Sequence, residues 1–259
     1  METQFVTSPD GIRIAYDVAG SGTPLVLLHG GGQSKQDWHN AGYVMHLADD
    51  FRVIGIDLRG NGESGKPDYD GAYAIERLME DVLAVADECG AEQFALWGFS
   101  FGGNVGRYLA SHSGRITRFV MGGIPFGSAT PGSWGKGVRD SIEKWVPILD
   151  AQRDGTLDLA ALPQADQENL ADPNLARWFA IFQGMVIWPD VAPDDLRCPT
   201  LLVVGSESES YQELIIEQMD EIKAAGVQVQ VFDGLTHMEE FTEIDIVLPI
   251  VREFLNGDA

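Results

Sequence analysis

Five short apolar runs constrain this chain more than any other feature: Leu25 to Leu28, Val53 to Ile56, Phe94 to Trp97, Phe119 to Met121 and Leu201 to Val204. They are too short for helices and carry no polar alternation, as expected of strands covered on both faces. Between them lie helical patterns. Ile75, Leu78, Met79, Val82, Leu83 and Ala86 fall at i, i+3, i+4, i+7, i+8 and i+11, one apolar stripe. Tyr211 to Ala224 repeats the device with Leu214, Ile215 and Met219 and closes near Gly226. Ile12 to Val18 alternates apolar and polar as a half-buried strand does, which predicts an edge hairpin at the start. Strand alternating with helix implies an α/β fold, a mostly parallel central sheet with helices on both faces.

With 259 residues and 44% hydrophobic content, the chain can build one sizeable core, so residues 1–259 are read as a single domain. The alternation breaks once, over residues 125–198, where no strand-like run appears and Pro, Gly and Asp interrupt apolar helical segments. This stretch is read as an inserted helical cap. Trp134, Trp145, Trp178 and Trp188 fall inside it with Phe126, Phe179 and Phe182. Such rings either form a small core of their own or line a pocket beneath the cap.

Seventeen basic residues against forty acidic ones give a formal net charge of -23, which repels polyanions. Nucleic acid and anionic membrane surfaces are therefore excluded as expected partners, and a small-molecule substrate is the expected one. The sequence leaves the oligomeric state open. Met1 to Asp10 lacks a basic segment followed by an apolar one, and no apolar run reaches membrane-spanning length, so a soluble, unexported, cytoplasmic protein is expected. Cys89 and Cys198 lie far apart and outside any metal-ligand spacing, which predicts two buried structural thiols, no disulfide and no metal site.

Gly98-Phe99-Ser100-Phe101-Gly102 satisfies G-x-S-x-G, directly after an apolar run and directly before a helix-competent stretch. In that context the serine is a candidate nucleophile, exposed on a tight strand-to-helix turn. His29-Gly30-Gly31-Gly32 follows an earlier strand, where a loop can turn its amides toward the same serine. Gly31 and Phe101 are the candidate donors to a tetrahedral oxyanion. A serine hydroxyl is a weak nucleophile at neutral pH and needs an imidazole to take its proton. Of five histidines, His237 directly follows the strand-like Val227 to Phe232, at the carboxyl end of the sheet where active sites gather.

Taken in order, these motifs resemble the α/β-hydrolase fold family in its capped form, over nearly the full length outside the cap. Asp57-Leu58-Arg59-Gly60-Asn61-Gly62-Glu63-Ser64 is similar to a D-x-R-G-x-G-x-S segment of many capped members, where it is mainly structural. The resemblance implies a Ser100 and His237 pair completed by an acid beyond the strand Leu201 to Val204. Where the family commonly carries an aspartate this chain has Ser208, flanked by Glu207 and Glu209. Glu207 is the first candidate for the acid and Glu209 the alternative. The leading reading is a carboxylesterase-like serine hydrolase, cleaving an ester of a small to medium neutral apolar substrate through an acyl-enzyme and needing no cofactor. A lactonase or carbon-carbon bond hydrolase with the same Ser/His pair is one alternative. A non-catalytic ligand-binding protein of the same fold is another.

Overall fold

The computed structural model describes residues 1–69 and 71–257. The chain opens with β1 (Gln4–Thr7) and β2 (Arg13–Ala19), an antiparallel hairpin in which Phe5 faces Ala15. It continues through β3 (Thr23–Leu28), α1 (Lys35–Asn40), α2 (Tyr43–Leu47) and β4 (Phe51–Ile56). Next come α3 (Ile75–Glu88), β5 (Phe94–Phe99), α4 (Phe101–His112) and β6 (Ile116–Gly122). Between β6 and β7 (Thr200–Gly205) run the helices α5 (Gly132–Arg153), α6 (Gln164–Leu170) and α7 (Leu175–Met185). The chain then forms α8 (Ile216–Ala224), β8 (Gln228–Phe232), α9 (Glu239–Thr242) and α10 (Ile244–Asn256). The eight strands lie side by side in the order β1-β2-β4-β3-β5-β6-β7-β8. β2 runs antiparallel to both neighbours, and every pairing from β4 through β8 is parallel.

The apolar runs are continuous because each strand feeds two cores. Successive side chains point to opposite faces of a sheet. Val26, Leu28, Ile54, Ile56, Leu96, Leu202 and Val204 join one cluster together with Leu78 and Val82 of α3 and Val105 of α4. Leu25, Leu27, Val53, Trp97, Leu201 and Val203 join the other, with Trp38 of α1, Tyr43 of α2 and Val251 of α10. Each fully buried side chain of this size contributes about 1.5–3 kcal/mol relative to exposure. A polar residue at one of these central positions would lose that and strand its own polar atoms.

Two local departures from the sequence pattern bear on function. The stretch expected as one helix from Tyr211 begins with a π-type turn, Tyr211–Ile215, before α8 takes over. In the α5–α7 segment the aromatic residues divide between the two roles that the sequence left open. Trp145 packs on Phe179, with ring centroids 6.2 Å apart, whereas Trp134, Trp178 and Phe182 face a cavity above the sheet. Trp188 anchors the returning chain: its indole N–H donates to the Tyr73 carbonyl at 2.9 Å, and its ring stacks on Phe101. A β-bridge between Gly127 and Val191 ties the two ends of the segment together.

Candidate active site

Ser100 sits between the end of β5 and the first residue of α4, with φ 51° and ψ -112°. Among the described residues it is the one non-glycine side chain at positive φ. Such a backbone costs on the order of 1–3 kcal/mol and persists where the surroundings over-determine it, most often at functional sites. The surroundings here are strand and helix backbones in near contact. A β-carbon on Gly98 would lie 2.7 Å from the Gly103 nitrogen, and one on Gly102 would lie 2.7 Å from the His29 carbonyl oxygen. Only glycine fits at either position, so the pentad is a steric requirement of the turn.

The hydroxyl so presented lies 3.0 Å from His237 Nε2. His237 is carried by the loop after β8, 137 residues away in sequence, and its ring stacks on Phe99 with centroids 4.9 Å apart and planes 23° apart. Thr236 fixes the turn that follows. Its backbone N–H and its hydroxyl both donate to Glu239 Oε2, at 2.8 and 2.7 Å. Those two bonds also hold the Glu239 carboxyl below its ordinary pKa, and they wind α9 so that residues 237 and 240 share a side.

The carboxylate that this turn brings to the imidazole is Glu240. Its Oε2 stands 3.3 Å from His237 Nδ1, an ion-pair distance whose angles miss hydrogen-bond alignment. Catalytic hydrogen bonds often tighten only once substrate is bound. Glu240 is 3% exposed, and its other oxygen accepts the Gly205 N–H at 2.8 Å. The structure brings neither sequence-derived acid to the imidazole. Glu207 and Glu209 are both exposed beyond β7, and Glu207 accepts only a long 3.4 Å bond from Gln212. Neither carboxylate contacts His237, because the loop turns them outward while Ser208 takes the buried position between them. A helical i, i+3 spacing from His237 is the one sequence signal for Glu240, and it is shared by no residue of the β7 loop.

Gly31 and Phe101 border the same cavity as Ser100. Phe101 is the first residue of α4, where helix amides have no intrahelical acceptor. His29, beside Gly31, is fully buried; it lies 2.8 Å from the Gly30 carbonyl through Nδ1 and accepts the Leu58 N–H at Nε2, 3.1 Å. That pairing fixes the Nδ1–H tautomer, and burial pushes the imidazole below its ordinary pKa, so it stays neutral and braces the loop. The Asp57 to Ser64 segment braces its neighbours. Asp57 accepts from Lys35 N and Nζ and from Glu63 N, and Arg59 is clasped by Asp81 and Asp10.

The cavity above Ser100 has a volume of about 570 Å³, within the range of small-molecule sites. Its inner wall is Phe101, Ile124, Trp178, Ile181, Phe182 and Met185. Toward the mouth stand Glu207, Glu209 and Glu213, and no lysine or arginine borders it among the described residues. Cys89 and Cys198 are free, half-buried where the sequence predicts buried thiols, and do not border this cavity, and burial raises the Cys198 thiol to about 11. Among the described residues no helix is long and apolar enough to cross a membrane.

A sequence profile described as the alpha/beta hydrolase fold matches residues 23–169, more than half of the chain. The chain belongs to the alpha/beta hydrolase fold family. Among curated relatives, this alpha/beta hydrolase is 36% identical over 118 residues to a soluble epoxide hydrolase of Corynebacterium sp., covering 45% of the chain and 40% of that protein. It thus spans about two fifths of that relative's length. It is 26% identical to a non-heme haloperoxidase of Rhodococcus erythropolis over 90% of the chain and 92% of that protein. A solved hydrolase structure from Pseudomonas aeruginosa superposes with a TM-score of 0.73 at 23% identity, covering 99% of this chain and 98% of the other. That likeness is one of fold.

Proposed function

We propose that this alpha/beta hydrolase is a serine hydrolase that cleaves carboxylic esters of small to medium, uncharged, apolar substrates through an acyl-enzyme. The observation that carries the reading is the 3.0 Å approach of His237 Nε2 to the Ser100 hydroxyl at a strained strand-to-helix turn. In this mechanism His237 takes the hydroxyl proton as Ser100 Oγ attacks the ester carbonyl. The N–H groups of Gly31 and Phe101 receive the negative oxygen of the tetrahedral intermediate. Its collapse expels the alcohol, which takes the proton back from the imidazolium. Water, deprotonated by the same imidazole, then attacks the acyl-serine, and as the second tetrahedral intermediate collapses the imidazolium returns that proton to Ser100 Oγ and the acid leaves.

The apolar inner wall and acidic mouth of the cavity support an uncharged acyl or alcohol group. A serine at position 100 disfavours epoxide opening of the kind that needs a carboxylate nucleophile, although one relative carries that name. The aligned Ser100 and His237 also disfavour a purely ligand-binding role. The test is a panel of esters, lactones and β-diketones of graded acyl length, assayed with wild type and Ser100→Ala. Ser100→Ala is expected to fold normally and to lose on the order of a millionfold in turnover, as removal of such a nucleophile does. Retention of more than about a few per cent of the wild-type rate would rule out the acyl-enzyme route.

A further inference from the structure

We propose that Glu240 is the positioning carboxylate of His237, carried on the turn after β8 and held by the end of β7. The inference rests on the serine-hydrolase reading and names the group that reading lacks. Three independent observations meet at one point. His237 Nδ1 and Glu240 Oε2 face each other at 3.3 Å, both are buried, and neither has a hydrogen-bond partner elsewhere among the described residues. Two such atoms are each other's only polar recourse.

Second, the end of β7 is built to hold this carboxylate. Here the last residue of β7, Gly205, donates its N–H to Glu240 Oε1 at 2.8 Å, so the strand end holds the carboxylate instead of carrying it. The position the acid would occupy is filled by Ser208, 1% exposed, bordering the same cavity, with its hydroxyl unpartnered. A short side chain stands where a longer acidic one would reach.

Third, the floor beneath the pair is empty of side chain. Gly123, the residue after β6, adopts φ +71°, and a β-carbon there would lie 2.6 Å from His237 Nδ1 and in still closer conflict with Glu240 Oε2. Glycine at this point is what leaves room for a carboxylate to approach the ring from the β8 side.

The physical consequence concerns tautomers. With Glu240 ionised, Nδ1 must carry the proton, which leaves Nε2 free to accept from Ser100. Glu240→Gln preserves an oxygen for the Gly205 N–H but turns an amide donor toward Nδ1. Nδ1 becomes the acceptor, Nε2 takes the proton, and the ring can no longer act as base toward the serine.

The experiment compares wild type, Glu240→Gln, Glu240→Asp and Glu240→Gln combined with Ser208→Asp on a neutral chromogenic ester, with kcat and KM resolved separately and folding checked by thermal unfolding. Glu240→Gln is expected to lose about 10⁴ in kcat with KM within a few-fold, the loss that follows amide replacement of a triad acid. Returning a carboxylate to position 208 should restore kcat by at least about a hundredfold over Glu240→Gln, a recovery that a packing defect would not give. Glu240→Asp, still anionic, should stay well above Glu240→Gln. A folded Glu240→Gln within a few-fold of wild type would overturn the proposal, and so would a loss that neither Ser208→Asp nor Glu240→Asp relieves. If Ser100→Ala keeps its activity, the serine mechanism itself fails; if Ser100→Ala is inactive and Glu240→Gln is not, only the assignment of Glu240 fails.

Discussion

Gly123 and His237 are so close that a single methyl group on the glycine would fall 2.6 Å from the imidazole Nδ1. The contact is produced by two different strand ends, β6 supplying the glycine and the loop after β8 the histidine. The Gly123 backbone is held by its N–H, which donates to the Val203 carbonyl at 2.9 Å, and the imidazole is held on its other side by the stacked Phe99 ring.

Gly123→Ala should therefore displace His237 or Glu240 by a fraction of an ångström to an ångström. Misplacement of that size costs about a hundredfold in rate. A β-carbon at φ +71° adds backbone strain of about 1–2 kcal/mol. The expected outcome is a folded protein of slightly lower Tm with kcat reduced at least about a hundredfold. Stopped-flow acylation and thermal unfolding measure the two parts. An unchanged kcat would mean that the His237–Glu240 contact tolerates displacement and is not part of the catalytic geometry.

The parts of the site legible in sequence were those fixed by local backbone chemistry. The Gly98 to Gly102 pentad announces its own turn, because glycine is needed on both sides of the serine for strand and helix to touch. His237 was legible from its position after a β-strand. Glu240 was not, because residues 236–243 contain Glu239, Glu240 and Glu243, and the Thr236-x-x-Glu239 spacing marks a helix start without saying which carboxylate turns toward His237. Only the Thr236–Glu239 bonds, which wind α9, decide which carboxylate turns inward. The spacing of similar proteins points to position 208, and Glu207 and Glu209 are candidates only because they flank it; neither spacing nor nearness to the strand end reports that the chain buries Ser208 and exposes its neighbours. The rings of the α5–α7 segment were ambiguous for a related reason: Trp145 and Trp178 have the same chemistry, and only the packing of α5 against α7 divides core from cavity wall.

Arg59 should be among the costliest single residues to remove, although it touches no substrate cavity. Its guanidinium is fully buried and bonded to Asp81 at 2.6 and 2.7 Å, to Asp10 at 2.8 Å and to the Ala72 carbonyl at 2.8 Å. Arg59→Ala leaves the Asp81 carboxylate buried without its partner, a class of change that destabilises by about 3–5 kcal/mol. Arg59→Ala combined with Asp81→Leu should recover part of that loss, since a matched apolar replacement removes the stranded charge. Urea unfolding at neutral pH measures both. A loss within about 0.5 kcal/mol, typical of an exposed surface change, would contradict the role given to the cluster.

The same cluster gives stability an acid limb. Burial alone would raise the Asp10 carboxyl, but the hydrogen bond and charge of Arg59, with Arg77 beyond, outweigh it and hold Asp10 below its ordinary value of 3.8. A folded-state pKa lowered in this way contributes stability that is fully present above the ordinary value. That stability is lost as pH falls through the lowered one. Wild type should therefore exceed Asp10→Asn in unfolding free energy at pH 5 to 7, and the gap should contract as pH falls below about 4. A gap independent of pH across that window would show that Asp10 acts by packing and not by charge.

Substrate charge is the last expectation, and it follows from what stands at the cavity mouth. Glu207, Glu209 and Glu213 border the cavity without a lysine or arginine among its described lining residues, on a chain with a formal net charge of -23. Two like charges about 8 Å apart repel by about 0.5 kcal/mol in bulk water and about 2 kcal/mol at the effective dielectric near a protein surface. Two or three such terms on an entering carboxylate amount to at least about a tenfold penalty in kcat/KM. A neutral ester should therefore be hydrolysed at least about ten times more efficiently than a dicarboxylate half-ester of equal length. The difference should reside mainly in KM, because the carboxylate is repelled at the mouth and not at Ser100. Raising the salt concentration from 0.05 to 0.5 M shortens the screening length to a few ångströms and should narrow the gap several-fold. Glu209→Gln with Glu213→Gln should narrow it at low salt without a comparable gain for the neutral ester. Half-esters turned over as well as neutral esters at low salt would mean that a cation outside the described lining residues receives the carboxylate, and the preference for uncharged substrates would have to be abandoned.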